Sequence, residues 1–306
     1  MSLHPQYARP RNVDQTIHLL DGLGTGAMVI AGGQELMPHV NYGRLMPTVY
    51  VDIGGLSELK GIREADGHIA IGALTVHREL QTDATVRESL PLLAFAARQV
   101  GGGWQVHNRG IIANTRVRAA GTIGGNLVSM HPLYDIAPPL LALGAQVEIR
   151  TIDGVRRTPL AEVIADTKHG LGATSLLTRV LVKPMNSAAG WDYQKLKITE
   201  GAYGSANAAA VVSLDGEKIA TLRVVIGAAT PTPIDASGAL DGLIGRPFDA
   251  RAAQEVEDIC AGLVRQPLDD QQGDAAWRRA MAGVVARRAV SAAVARARNG
   301  NRQGAL

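Results

Sequence analysis

The sequence predicts an α+β protein assembled from successive compact units, and three observations carry the prediction. Short apolar runs of strand length are interleaved with longer runs of helical periodicity. Gly-Gly, Asp-Gly and Pro pairs punctuate them. The last third places its strands ahead of its helices instead of alternating the two, which argues against a doubly wound sheet. With 306 residues, 46% hydrophobic and 19% charged, the chain is long enough for two or three such units with cores of their own.

Along the chain, Asn12-Val13-Asp14-Gln15 fits a capping box ahead of Ile17, Leu19 and Leu20, so a helix starts the fold. Met28-Val29-Ile30-Ala31 reads as a short buried strand ended by Gly32-Gly33, and residues 48–53 as the next strand, completing a β-α-β unit. A second unit from Leu56 contains the alternating strand 69–73 and a helix over 91–100. Gly101-Gly102-Gly103 and a long polar connection to Gly121 follow. Helix and strand return over 140–149, Asp153-Gly154 marks a hairpin turn, and 176–182 is the unit's last strand. Residues 184–190 form a linker. Strands over 208–214 and 222–226 then precede helices, the last over 274–298. The expected domains are 1–184, divided near residue 55, and 190–306.

Composition excludes several classes. A net charge of +3 is only mildly basic, and Arg278, Arg279, Arg287, Arg288, Arg296 and Arg298 are interleaved with Ala and Val at helical spacing. That pattern predicts a docked amphipathic helix and no nucleic-acid partner. Cys260 is the sole cysteine, so an intrachain disulfide is impossible and the thiolates of an iron–sulfur cluster are missing. Its neighbours Val256, Ile259, Leu263 and Val264 predict a packing role. Residues 1–10 lack an apolar signal region and no run reaches transmembrane length, so a cytoplasmic protein without membrane insertion is expected. A Walker A loop, G-x-G-x-x-G after a strand, H-E-x-x-H and G-x-S-x-G are all absent.

What remains is a pair of Gly-Gly segments, Ala31-Gly32-Gly33-Gln34-Glu35-Leu36 and Thr122-Ile123-Gly124-Gly125-Asn126-Leu127. As turns, each would expose consecutive backbone N–H groups to an anion, with glycine permitting close approach of a pyrophosphate. Asp135 suits either a ribose hydroxyl or the N-cap of a helix at Ile136-Ala137-Pro138-Pro139; spacing alone favours the cap. Arg116 and Arg118 suit phosphate contacts or a solvated strand edge equally.

These segments together resemble the FAD-binding subunit of the xanthine dehydrogenase and carbon monoxide dehydrogenase group of molybdenum hydroxylases. Both glycine segments carry the resemblance, as do Ile71-Gly72-Ala73-Leu74-Thr75 and Ile112-Ala113-Asn114-Thr115-Arg116-Val117-Arg118. Pro132-Leu133-Tyr134-Asp135, residues 140–145 and Asp274-Ala275-Ala276-Trp277-Arg278-Arg279 extend it over nearly the whole chain. It implies a two-subdomain FAD-binding domain of the vanillyl-alcohol-oxidase (PCMH) type, followed by a C-terminal α+β domain. It further implies FAD contacts from Val29, Ile30, Ala31, Gly32, Gly33, Gln34, Glu35, Leu36, Ala113, Thr122, Ile123, Gly124, Gly125 and Asn126. Asp135 is implied at the ribose, overturning the cap, and Lys195 and Tyr203 near the flavin ring, with Lys197 a competing assignment.

The sequence departs from the family pattern where Gln34 stands for a usual Thr or His, Tyr134 for a Ser, and Ala119-Ala120 for an Asn-containing pair. Trp104 and His107 lie in a connection that aligns poorly. By resemblance, partner chains carry the rest: a large subunit with the molybdopterin cofactor and a small subunit with two 2Fe–2S clusters. Electrons would reach this chain's FAD and pass to a soluble external acceptor, in a dimer of heterotrimers. The competing readings are a stand-alone flavin oxidoreductase such as a UDP-sugar reductase, and a maturation factor that has lost FAD.

Overall fold

The computed structural model describes residues 5–101, 112–166, 171–199 and 202–300. The first unit comprises β1 (Gln6–Ala8), α1 (Val13–Leu23), β2 (Ala27–Ile30), α2 (Leu36–Asn41) and β3 (Val49–Asp52). Its sheet is parallel with order β1-β3-β2. Asn12 caps α1 by accepting from the Gln15 N–H at 2.8 Å, and Ile17 and Leu20 pack beside Val51 in the unit's core. The strand expected to be buried, β2, is instead an edge strand whose Met28, Val29 and Ile30 are half-buried. Apolarity marked it as a strand, but only β3 pairs with it among the described strands, while the unforeseen β1 covers the far side of β3.

The second unit comprises β4 (Ile62–Ala65), β5 (His68–Gly72), α3 (His77–Thr82), α4 (Ala84–Ser89), α5 (Pro91–Gln99), α6 (Ile112–Ala120), α7 (Ile123–Ser129), α8 (Ala137–Ala142), β6 (Gln146–Thr151), β7 (Gly154–Pro159), α9 (Leu160–Ala165) and β8 (Leu176–Val182). The sheet is antiparallel in order β4-β5-β8-β6-β7. Ile69, Ile71, Val147, Ile149, Val180 and Val182 bury one face against helices carrying Leu80, Leu93 and Ala97. The long polar connection is a correction, because from Ile112 onward it is helix α6. No Gly or Pro interrupts 112–120, and its polar composition hid it from a reading based on apolar periodicity. Gly102, Gly103, Trp104 and His107 lie outside the described residues.

The third unit comprises β9 (Gly190–Leu196), β10 (Ala206–Asp215), β11 (Lys218–Gly227), β12 (Ile234–Asp235), α10 (Ala250–Leu263) and α11 (Ala275–Arg298). Its antiparallel sheet, order β12-β11-β10-β9, is covered on both faces. Ala206, Ala208, Ala210 and Val212 face Val256 of α10 and Val285, Ala289 and Val290 of α11. Alternate residues Trp191, Tyr193, Ala209 and Val225 pack on Leu92 and Ala96 of α5 and Ala142 of α8, with the Phe95 and Trp191 rings 5.9 Å apart. Burial on both sides explains the unbroken apolar run 208–212. Strand β9 escaped sequence reading because its polar side chains are answered by distant partners. Arg296 pairs with Asp192 at 2.8 Å and lies 4.2 Å over the Trp191 ring.

Two buried groups yield expectations. Cys260 is wholly buried in α10, and burial pushes its thiol up to about 12. A disulfide reagent at pH 8 should therefore release one thiolate only after denaturant unfolds the chain; rapid reaction of native protein would contradict the packing. His77 is buried at the start of α3, its N–H bonded to Gly121 O at 3.0 Å. Burial, then the charge of Arg118, lowers its pKa from 6.5 to about 4. The unfolded chain thus binds a proton that the folded chain refuses. The stability this neutral histidine contributes is complete above pH 6.5 and falls away between 6.5 and 4, on the order of 3 kcal/mol in all. Urea melts of His77→Gln across that window should show a shallower loss than the unsubstituted protein, and equal slopes would refute the assignment.

Candidate functional site

The first glycine segment leaves the end of β2 and turns into α2. Gly33 occupies φ +67°, a left-handed conformation that glycine adopts without strain. The N–H groups of Gly32, Gly33, Gln34 and Glu35 reach no acceptor among the described residues, although the Gln34 amide folds back to Gly32 O at 3.1 Å. Gly32 is needed for a different reason. A Cβ there would lie 1.8 Å from Ala120 O and 3.3 Å from the Gly121 Cα. The first segment therefore rests directly on the end of α6, one step from the second glycine segment.

That second segment is not a turn, which corrects the expectation of a second row of free N–H groups. It is the first turn of α7, with Thr122 as N-cap accepting from the Gly125 N–H at 3.0 Å. The Ile123 N–H donates to Thr75 O and that of Gly124 to Ala73 O, both at 2.9 Å, and Asn126 N–H to Thr122 O at 3.0 Å. The strand-like stretch 71–75 thus supplies the carbonyls that seat the helix. A Cβ on Gly124 would come 2.8 Å from Ala73 O, whereas one on Gly125 would meet only the Thr122 hydroxyl. Gly125 is exposed, and the Asn126 Oδ1 is buried without a partner among the described residues. Sequence alone could not separate a glycine turn from a glycine-bearing helix start.

Asp135 is not an N-cap either: α8 begins after Ile136, and no side chain caps it. The carboxylate is buried and accepts from the Tyr193 hydroxyl at 2.7 Å and from Lys195 Nζ at 2.8 Å. Lys195 also donates to Gln99 O at 3.2 Å. Burial, reinforced by the Asp135 charge, drives the Tyr193 hydroxyl well above its usual range and keeps it a donor. Of the two competing lysines, Lys195 in β9 joins the second unit in this way, while Lys197 lies just past the strand's end. Tyr193 was missed; two residues before Lys195 in a strand, it shares its face, and identifying β9 would have found it.

An aromatic stack joins all three units. His131 lies 4.7 Å from the Tyr134 ring and 5.3 Å from the Tyr203 ring, at 24° and 27°. The Tyr134 hydroxyl donates to Glu35 of the first glycine segment, and Glu35 pairs with His39 at 3.0 Å. Burial raises the Tyr134 and Tyr203 hydroxyls, with the Glu35 carboxylate adding to both, and burial lowers His131. Tyr203 remains 45% exposed. Val29 and Ile30 lie on β2, and Leu36 starts α2. Ala113 belongs to α6, but the side chains of 112–114 are not described. Arg116 and Arg118 sit on that helix, not on a strand, and Arg118 donates to Val100 O at 2.9 Å.

Comparison with known proteins gives this arrangement its family. The profile described as the FAD binding domain in molybdopterin dehydrogenase matches residues 3–184, and that of the CO dehydrogenase flavoprotein C-terminal domain matches 191–293. The chain is 32% identical to a carbon monoxide dehydrogenase medium chain of Hydrogenophaga pseudoflava, over 95% of this chain and 97% of the relative. It is 26% identical to a xanthine dehydrogenase FAD-binding subunit of Escherichia coli, over 89% and 88%. Among solved structures, carbon monoxide dehydrogenase from Hydrogenophaga pseudoflava superposes with a TM-score of 0.89 at 30% identity, covering 97% of this chain and 99% of that one. Quinoline 2-oxidoreductase from Pseudomonas putida superposes at 0.82 and 26% identity, covering 97% and 99%. The chain belongs to the family of FAD-binding medium subunits of the molybdenum hydroxylases, the carbon monoxide dehydrogenase and xanthine dehydrogenase group.

Proposed function

We propose that this chain holds FAD where its three units meet and serves as the electron-exit subunit of a molybdenum hydroxylase. The observation that carries the reading is the contact of the two glycine segments: four unengaged N–H groups on the first, lying against the end of α6 that leads into Gly125 and Asn126. Such a surface fits a pyrophosphate, since consecutive N–H groups answer anionic oxygens and glycine keeps the approach open. Residues 29–36, Ala113 and residues 122–126 are assigned to that dinucleotide path. Asp135 has two hydrogen bonds filled of about four acceptor positions a carboxylate offers, leaving capacity for a ribose hydroxyl. Lys195 and Tyr203 are assigned to the surroundings of the ring; Asp135 balances the Lys195 charge, and the ammonium keeps one of its three donors beyond those given to Asp135 and Gln99. When bound, FAD supplies a carrier that exchanges electrons singly or in pairs.

The chain's own part is to hold and shield. Tyr134 ties Glu35 to the aromatic stack, and the Asp135–Lys195 pair fastens the third unit across the second. Partner chains complete the reading: a large subunit with the molybdopterin cofactor and a small subunit with two iron–sulfur clusters. The relatives bear names of medium chains and FAD-binding subunits of dehydrogenases, which supports that division of labour and gives the stand-alone reductase no support. Among the described residues no helix is long and apolar enough to cross a membrane. A soluble acceptor, a cytoplasmic setting, a dimer of heterotrimers and a domain boundary at 184–190 are the finer parts of the proposal.

Acid treatment of the purified protein should release noncovalent FAD, not FMN. Gly125→Val should weaken FAD binding by about 2 kcal/mol or more with a smaller change in melting temperature than Gly32→Ala, because a Cβ there meets only the Thr122 hydroxyl. Gly32→Ala should lower the melting temperature first, through the clash with Ala120. Unaltered FAD affinity in Gly125→Val would remove the second segment from the site. In the assembled complex, stopped-flow absorbance should show substrate reducing the iron–sulfur clusters even after FAD is stripped, with turnover on the external acceptor lost. Substrate oxidation by this chain alone would sink the subunit assignment.

A further inference from the structure

We infer that Arg278 is a positioning residue: it fixes the rim of the third unit that faces the glycine segments, and through that rim the placement of Tyr203 and of the strand end carrying Lys195. Among the described residues Arg278 is the largest fully buried side chain, with no solvent exposure. Arginine is almost never fully buried unless its charge and donors are answered. Here Nε donates to Gly273 O at 3.1 Å, Nη1 to Ser205 O at 2.9 Å and also to Ala228 O, and Nη2 to the Asp270 carboxylate. One planar fork therefore joins the start of β10, the end of β11 and the turn before α11.

Each of those three segments bears on the candidate site. Ser205 follows Tyr203 by two residues, and its N–H donates at 2.7 Å to the carbonyl of Leu196, the residue after Lys195. Ala228 sits at φ +59°, a left-handed conformation that costs a residue with a Cβ and persists only where its surroundings enforce it. Its carbonyl is held by the guanidinium, so part of that enforcement is Arg278. Asp270 lies close enough to His131 for its charge to act on the ring against which Tyr203 stacks. Lysine cannot reproduce the arrangement, because a single ammonium lacks the fork needed to reach four acceptors on three separated segments. The assignment deepens the FAD reading and rests on it for one readout only.

The test is hydrogen–deuterium exchange on Arg278→Met, Arg278→Lys and Ala228→Gly, each with and without FAD, beside FAD dissociation rates. In Arg278→Met, amides of 202–206 and 226–230 should exchange about tenfold faster or more, while those of α3 and α5 stay unchanged. FAD should dissociate several-fold faster. Arg278→Lys should resemble Arg278→Met at the rim. Ala228→Gly should slow exchange there, and added to Arg278→Met should restore part of the protection, since glycine holds that φ unaided. Uniform acceleration throughout the chain would reduce Arg278 to a stability residue and overturn the inference. So would unaltered rim exchange in Arg278→Lys, which decides the matter even if Arg278→Met does not fold. A loosened rim with an unchanged FAD dissociation rate would overturn the link to the cofactor. If even the unsubstituted protein takes up no FAD, the function proposed above fails, and the exchange of the FAD-free variants still decides the clamp.

Discussion

A carboxylate and an ammonium both withdrawn from water must find each other, and the meeting of Asp135 with Lys195 is the constraint around which this molecule is arranged. Each side chain is 4% exposed, and one belongs to the second unit and the other to the third. Removing one partner of such a pair typically costs about 3–5 kcal/mol, because the remaining charge is stranded. The pair is therefore a register mark as much as an attraction. Only one docking of β9 on α5 and α8 places Lys195 opposite Asp135 with Tyr193 donating to the second oxygen. Apolar packing of Trp191, Ala209 and Val225 could slide; a buried charge cannot.

The same economy of polar groups runs through the site. Glu35 is held by Tyr134 and Tyr203 by His131, each across a boundary between units, while the start of α7 is seated within its own unit by carbonyls of residues 73 and 75. What is left unanswered stands out against that background. The N–H groups of the first glycine segment and the Asn126 amide oxygen are polar groups for which the protein itself provides no partner among the described residues.

Much of this was legible from residues alone. Runs of apolar spacing located α1, α5, β8, β10, β11 and α11, because each buries a stripe or face that its own pattern declares. The glycine segments were legible as places of close approach, two of which the structure shows at Gly32 and Gly124. Elements whose stability comes from elsewhere were not legible. Strand β9 hides behind Asp192 and Lys195, whose partners lie on α11 and the second unit. Helix α6 is too polar to announce itself. The burial of Arg278 amid a series of arginines that otherwise look solvated depends on three carbonyls that no local pattern brings together.

The sheet formed by β9–β12 is clothed on one side by its own helices and on the other by α5 and α8. Synthesis proceeds from the amino end, so the half bearing Leu92, Phe95 and Ala96 leaves the ribosome before the strands that will cover it exist. Until Trp191, Tyr193 and Val225 arrive, that half shows water an oily strip and an unpaired buried-type carboxylate at Asp135. The two halves are thus consecutive along the chain but share one core, and severing them between β8 and β9 would leave an oily face bare on each fragment.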